Sequence, residues 1–406
     1  MAASRCITRC FRSWRPLWLG PDRLVSTLRT VAVMLLLYNL VMLAVDWAVL
    51  LLLRRGPGWK RWLVSALAFA VVAGALAIGT VWLAFGRQRI DLFAVFRLIS
   101  AAVFFHGTLL AAGAAWIWRG SWRFGAGLNG LLAIVLLTTA YHIWFIEPTW
   151  LEVARVEIAS SKIQKPMRIV VIADLQTEDF GEYEQGVLRL AFAEKPDVIL
   201  WAGDYVQSPL PEEQYRKINE FLKANPYAPP LGAYAVAGNV DSPQWPSMFE
   251  GTDVVVVHQT QAFMLDGVRL TCLSLGDSYN GLFDLLARDI PVRPAAEASA
   301  ASVSGQSGST AYHIIVGHVP NFARGRNDGD LLLAGHTHGG QVQIPGIGPL
   351  IANCWVPRSW ASGTTELGDG RRLIVSRGIG MERGEAPQIR FFCRPQLLVI
   401  ELLPQS

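Results

Sequence analysis

Charge is what this sequence has little of. Asp, Glu, Lys and Arg make up only 17% of its 406 residues, against 52% hydrophobic ones, whereas soluble domains average about 25% charged. The formal net charge is +4, too small for a general nucleic-acid surface, which depends on dense Lys and Arg. Cysteine is scarce and odd in number: Cys6, Cys10, Cys272, Cys354 and Cys393 are widely scattered. They offer neither zinc-site spacing nor a disulfide framework. No internal repeat is present.

The apolar excess sits in the first 150 residues. Runs at 31–53, 62–85, 98–118 and 127–146 each approach the ~20 residues that carry a helix across about 30 Å of hydrocarbon. Trp47, Trp59, Trp62, Trp116, Trp118, Trp144 and Trp150 lie mostly near run ends, where indoles prefer the headgroup layer. Four successive runs, with no small-residue cleavage site after the first, argue against a signal peptide. The first 30 residues hold six arginines, and Arg87, Arg89 and Arg97 follow the second run. Arg54, Arg55, Lys60, Arg61, Arg119 and Arg123 fall on the other side. Nine against six predicts a cytoplasmic basic segment at 1–30, a four-helix transmembrane domain at 31–146, and both termini inside the cell (inner) membrane. An organelle transit peptide is the other reading of the Arg-rich start. Asn39, Asp46 and His106 fall inside the runs; one Asp and one His draw no ion pathway, and the competing role is contact between helices.

From Glu147 the composition changes, and residues 150–406 read as a second, α/β domain. Strands are expected at 168–173, 197–202, 231–237, 253–257, 269–275, 312–317 and 331–334, and helices at 182–195, 211–224 and 280–289. The alternation indicates βαβ units. Residues 295–310, AAEASAASVSGQSGST, read as a flexible insertion.

The strand ends carry the chemistry. RIVVIA is followed by Asp174-Leu175-Gln176, DVILWA by Gly203-Asp204, and AYAVAG by Asn239-Val240-Asp241; HIIVG is followed by His318, and DLLLAG by His336-Thr337-His338. Singly, each is an ordinary turn, cap or core residue. Together they place oxygen and imidazole donors at the sheet edge where α/β proteins build their sites. A carboxylate can bridge two cations about 3.5–4 Å apart, and the remaining donors suit Mn, Fe or Zn.

In order and spacing these motifs resemble those of the calcineurin-like metallophosphoesterases. GHTHGGQVQIPG (335–346) and the ending SRGIG…IRFFCRPQLLVIEL (376–402) resemble the membrane-attached branch of that family. The resemblance covers about 150–402 and implies a sandwich of two mixed β-sheets flanked by helices. It implies two divalent metal ions, Mn first, with Fe, Zn or Mg as alternatives. Asp174, Gln176, Asp204 and His338 would hold one; Asp204 as bridge, Asn239, His318 and His336 the other. Asp204, Asn239 and His318 are then the catalytic residues, a metal-bridging hydroxide the nucleophile, and Asp241 a structural acceptor.

Two positions depart from the pattern. Gln176 stands where the family has His, which weakens one site or shifts it toward harder metals. Val240 stands where the family has the His proposed to protonate the leaving group, a function typically contributing ~10²–10⁴-fold. Substrates with good leaving groups lose least. The reading is a membrane-bound hydrolase of phosphodiester or pyrophosphate bonds, acting on a phosphorylated lipid or nucleotide-type substrate such as UDP-2,3-diacylglucosamine. Its competitors are a phosphomonoesterase using another acid, such as His258, and a weakened metal-binding or sensor domain on a membrane scaffold. Arg324 and Arg377 lead the candidate phosphate clamps, with Arg326 and Arg358 behind them. The lipid bilayer is the expected partner, nucleic acid is not, and WVPRSW (355–360) reads either as an interfacial loop or as a packed connection.

Overall fold

The computed structural model describes residues 21–86, 91–294, 311–352 and 354–405. Most of the N-terminal basic segment and the 295–310 insertion lie outside the described residues. The chain divides into two units, a helical one formed by Asp22–Trp150 with Glu382–Phe391, and an α/β one built mainly from Leu151–Met381 and Phe392–Ser406.

The helical unit contains α1 (Pro21–Arg54), α2 (Trp59–Phe85), α3 (Leu92–Ala101), α4 (Gly107–Trp118) and α5 (Arg123–Tyr141). A π turn, Ala102–His106, joins α3 and α4 into one span, and a second, His142–Ile146, extends α5. Among the described residues, four helices are long and apolar enough to cross a membrane: Leu24–Arg54, Trp59–Phe85, Leu92–Trp118 and Arg123–Thr149. Each outruns its predicted apolar stretch because the flanking polar residues continue the helix. The Asp91 carboxylate caps α3 by accepting from the Ala94 N–H, satisfying one of the donors a helix start leaves over. Met34, Tyr38, Met42, Ala77, Val81 and Leu98 pack the centre. Small Ala residues there let backbones approach, as packing in lipid requires.

Polar residues inside this unit form a pair of links. His106, on the π turn, has Nδ1 2.6 Å from Asp46 Oδ2 and Nε2 2.9 Å from Asn39 Oδ1. Asn39 and Asp46 are two turns apart on α1, so one imidazole spans them and ties α1 to the third span. Glu382–Phe391 contributes backbone acceptors and a donor: the Arg97 guanidinium donates to the carbonyls of Gly384 and Ala386, and the Arg390 N–H donates to Ile143 O.

The α/β unit has two large sheets. The first is six-stranded, ordered β1-β15-β2-β3-β4-β5, from β1 (Glu152–Ser160), β2 (Met167–Ile172), β3 (Val198–Trp201), β4 (Ala233–Val236), β5 (Val254–Val257) and β15 (Gln396–Pro404). The second is seven-stranded, ordered β13-β14-β10-β9-β7-β6-β8, from β6 (Gln261–Leu265), β7 (Val268–Cys272), β8 (Val292–Pro294), β9 (Tyr312–Val316), β10 (Leu331–Ala334), β13 (Gly363–Glu366) and β14 (Arg372–Val375). β11 (Gln343–Ile344) and β12 (Gly348–Pro349) form a small hairpin.

The central strands are apolar without alternation because both their faces are covered. Ile169, Val171, Leu200 and Tyr234 meet Leu270, Ile314, Leu333 and Ile374 between the sheets. The intervening Val170, Ile172, Ile199 and Trp201 pack instead on α6 (Glu182–Ala193) and α7 (Pro211–Ala224), through Leu188, Tyr215 and Ile218. β2, β3 and β4 run parallel, as do β9 and β10, so their carboxyl ends carry the motifs together.

One expected element is absent. Residues 280–289 form no helix. The short α8 (Leu275–Tyr279) precedes them, capped by the Ser274 hydroxyl. Asn280 and Gly281 then turn the chain, and Asp284 pairs with Arg326 in a β-bridge. The strand expected over 269–275 correspondingly stops at Cys272.

Candidate metal centre

Three donors converge at the joined strand ends. Ligand atoms of Asp204, His318 and His336 all lie within 4.8 Å of one another, and all three side chains are buried. His318 Nε2 stands 3.1 Å from Asp204 Oδ2 and 3.1 Å from Asn239 Oδ1, while its Nδ1 is held 2.8 Å from the Ala202 carbonyl. That second contact fixes the ring and directs Nε2 inward, as the outer hydrogen bond of a metal-binding imidazole does. The rings of His318 and His336 meet at 74° with centroids 5.1 Å apart.

Asp174 and His338 sit alongside. The His336 N–H donates to Asp174 Oδ1 at 2.8 Å, and His318 Nδ1 lies 3.8 Å from the same oxygen. A Cβ on Gly378 would stand 3.0 Å from Asp174 Oδ2 and 3.1 Å from His338 Nδ1, so both side chains press on one bare backbone. The Gln176 carboxamide is oriented by donating to Gln207 Oε1 at 2.7 Å, and the Gln176 backbone N–H donates to Asp204 O. Arg377 lies 3.0 Å from Glu152 through its guanidinium, and exposed Arg324 donates to the Trp355 carbonyl at 2.9 Å. Arg326 pairs with Asp284, and Arg358 is exposed in a short 3₁₀ turn. His258 is exposed, its ring 5.8 Å from that of Trp245.

The backbone pays attention to these residues in a measurable way. Asp174, Gln176, Asp204, His336 and His338 all have positive φ, between 35° and 73°, in a region that non-glycine residues seldom occupy and that persists only where the surroundings enforce it. Among the described non-glycine residues nine have positive φ, and five of them are candidate ligands.

Asp241 supplies part of that enforcement. Its Oδ2 accepts from the N–H groups of Asp204 (2.9 Å) and Gly238 (2.7 Å), and its Oδ1 from Tyr205 (2.7 Å). All three donors are backbone groups, so Asp241 holds the loop that presents Asp204 and Asn239. Val240 lies buried beside it and gives its N–H to Asp204 Oδ1 at 2.9 Å. The electrostatics match this geometry. Burial opposes ionisation of Asp204, but the His318 and His336 charges outweigh it and hold the carboxyl below its usual range. Burial likewise disfavours charge on His318, yet Asp204 and then Asp174 raise it to about 9. Burial and the neighbouring Asp204 push Asp241 up to about 7.

The donor set fits divalent metal: buried carboxylates and imidazoles, with an amide from Asn239 and another from Gln176, are the ligands that Mn, Fe and Zn accept. Sequence reading had not singled out Gln207, nor Tyr279, whose ring lies edge-on to His336 with centroids 5.6 Å apart. A phenol at the end of a one-turn helix leaves no local signal; the SRGIG stretch around Gly378 does, through its two closely spaced glycines.

Two mixed sheets with this donor cluster at their strand ends, taken with the family match below, support a hydrolase of phosphoester bonds. Residues 167–340 match the family described as calcineurin-like phosphoesterase, so the chain carries that domain behind four long apolar helices. Among its relatives are the uncharacterized metallophosphoesterase YkuE of Bacillus subtilis (strain 168), 27% identical over 69% of this chain and 96% of its own length, and phosphodiesterase YaeI of Escherichia coli (strain K12), 26% identical over 64% and 92%. A metallophosphoesterase of Aquifex aeolicus (strain VF5) is 24% identical over 66% and 97%.

Proposed function

We propose that the protein is a membrane-bound, divalent-metal-dependent hydrolase of phosphodiester or pyrophosphate bonds, acting on a phosphorylated lipid or nucleotide-type substrate. Two metal ions, Mn foremost, would be held by Asp174, Gln176, Asp204 and His338, and by Asp204, Asn239, His318 and His336. When bound, such ions polarise phosphoryl oxygens and activate water. The chain's own groups do the positioning: Asp241 clamps the loop bearing Asp204 and Asn239, and Ala202 O sets the His318 ring.

The observation that carries the choice of bond is Val240. It lies buried, with its N–H on Asp204 Oδ1, beside the cluster of Asp204, His318 and His336, and its isopropyl group can neither donate a proton nor hydrogen-bond to phosphate. The leaving group therefore departs without help from this position, which favours nucleotide-like or aryl leaving groups over simple alkoxides. The similarity to phosphodiesterase YaeI of Escherichia coli supports the same choice. The four spans and the positive flanks support a multi-pass protein of the cell membrane with its catalytic domain in the cytoplasm.

The test is hydrolysis by the purified full-length chain with Mn²⁺ of bis(p-nitrophenyl) phosphate, p-nitrophenyl phosphate, a simple alkyl monoester and a nucleotide pyrophosphate. Preference for the bis-ester and pyrophosphate over the alkyl monoester is expected, with loss on chelation. Asp204→Asn should lower the rate by at least ~10²-fold, since even outer partners of metal ligands cost 10–100-fold. Full activity in that variant, or a preference for the alkyl monoester, refutes the reading.

A further inference from the structure

Three loops surround the donor cluster, and each ends in an exposed apolar side chain. The loop after α8, whose Tyr279 touches His336, presents Leu282, 74% exposed. The β11–β12 hairpin follows His338 directly and presents Ile347, 57% exposed, flanked by Ile344 and Leu350. The next loop presents Trp355, 47% exposed.

These tips are fixed in place by the site's own framework. Gln343 Nε2 donates to Gly339 O at 3.0 Å, and the Gly340 Cβ position would lie 2.7 Å from Pro349 Cβ, so the hairpin folds back onto the turn carrying His338. The Trp355 N–H donates to Asn321 Oδ1, and Trp355 O accepts from Arg324, which fastens it to the turn that follows His318. Its indole approaches Gly281, the residue before Leu282; the Gly281 Cβ position is 3.8 Å from Trp355 Cε3.

Charge selects among possible occupants. From Leu331 to Thr365 the chain has no Asp or Glu, and Arg358 is its one Lys or Arg. Arg324 and Arg358 are both exposed next to the aromatic tip. Across the hairpin and the Trp355 loop, aliphatic side chains and an indole with arginine and no carboxylate are the composition that settles at the boundary between acyl chains and anionic headgroups; near Leu282, the Asp284 carboxylate is paired with Arg326 at 3.0 Å. A solvated loop would gain nothing from such a surface. The same chain carries four helices able to cross a bilayer, so a lipid surface is available to it.

We infer that Leu282, Ile347 and Trp355, with Ile344 and Leu350, form an interfacial rim that docks the metal site on the membrane surface, so that its substrate is a phosphoester at the headgroup of a lipid whose chains stay in the bilayer. This rests on the phosphohydrolase reading for the substrate and on the rim's own chemistry for the docking. The rim sorts substrates: a headgroup phosphate is delivered across it, whereas a wholly water-soluble ester gains nothing from it.

The experiment places an environment-sensitive fluorophore on Ile347→Cys in the full-length protein, in nanodiscs of phosphatidylethanolamine and phosphatidylglycerol holding one copy each. The unsubstituted protein, labelled in parallel, corrects for native thiols, and Leu210→Cys, an exposed apolar site outside the rim, serves as control. Expected is a blue-shifted emission at 347, quenched by lipids carrying a shallow nitroxide, and no quenching at 210. Adding Leu282→Asp and Leu350→Asp should reverse both effects at 347. Water-like, unquenched emission at 347 overturns the inference, as does a blue shift seen only in discs holding two copies, which would make the rim a contact between chains. Hydrolysis of bis(p-nitrophenyl) phosphate in the same preparation tests the enzymatic reading apart: its absence removes that reading while the quenching still decides the docking.

Discussion

Gly238 shows how closely the backbone is drawn around Asp204. A Cβ there would stand 2.1 Å from both Asp204 N and Asp204 Oδ1, a distance no repacking tolerates. Gly238→Ala is therefore expected to displace the Asp204 loop and abolish bound metal, read by elemental analysis of the purified protein. Gly186→Ala, in α6 with open space around it, should leave metal content unchanged and stabilise by about 0.5–1 kcal/mol through helix propensity. Equal metal content in both variants would contradict the close approach. Away from the site, Asp328 is held down to about 2 by its hydrogen bond from His313, with Nδ1 3.0 Å away. The folded value is below the unfolded ~3.9, so its contribution is present above pH 4 and lost as pH falls from about 4 to about 2. The carboxylate is nearly half exposed, which limits the effect to ~1 kcal/mol or less. The thermal midpoint of Asp328→Asn should accordingly lie below the parent's at pH 6 and converge with it near pH 2. A constant difference would show that the pair does not contribute through charge. The candidate ligands were legible in sequence because each interrupts an apolar run with a donor at its end. Tyr279 and Gln207 were not, since their proximity arises only when distant loops meet.

At the scale of elements, β15 joins what the sequence separates most. It runs parallel to β1, from Glu152↔Gln396 to Ser160↔Pro404, and antiparallel to β2, from Leu398↔Val171 to Leu402↔Met167. The last residues of the chain therefore sit between the first two strands of the α/β unit, next to the strand that delivers Asp174. Leu398 lies in the core between the sheets. Leu398→Ala should destabilise the α/β unit by ~2–5 kcal/mol, seen as a lower denaturant midpoint; a change under about 0.5 kcal/mol would place this strand outside the cooperative core. Strands β2, β3, β4, β9 and β10 were legible because burial on both faces makes them continuous apolar runs, ended by glycine in all but β2, which leads into Asp174. β1 was not, because as an edge strand it alternates Glu152, Arg155 and Glu157 with apolar residues, a pattern easily taken for a connection. The helix expected at 280–289 failed for the opposite reason. Its apolar spacing is helical, but Asn280 and Gly281 turn the chain before it, and around the bridge the Leu285 N–H donates to Arg326 O while the Arg326 N–H donates to Phe283 O.

For the whole molecule, the orientation of the four spans decides which compartment supplies substrate. With four crossings, as proposed, the N-terminal segment and the α/β unit would share one side, and the arginine balance would make that side the cytoplasm. Ser121→Cys, between the third and fourth spans, should then react with a membrane-impermeant maleimide in intact bacterial cells, while Gln88→Cys, between the second and third, should react only after lysis; parent protein controls for native thiols. The reverse pattern would move the catalytic domain outside. The balance is narrow enough to be tipped. Of the nine positive residues on the proposed inward side, six are arginines in the first 30 positions, against six on the proposed outward side. Replacing Arg5, Arg9, Arg12 and Arg15 by Gln leaves five against six (9 − 4 = 5). Part of the population should then insert inverted, with Gln88→Cys becoming reactive in intact cells and Ser121→Cys protected in the same fraction. Unchanged labelling would mean that the folding of the α/β unit before insertion, rather than the flanking charge, fixes the orientation.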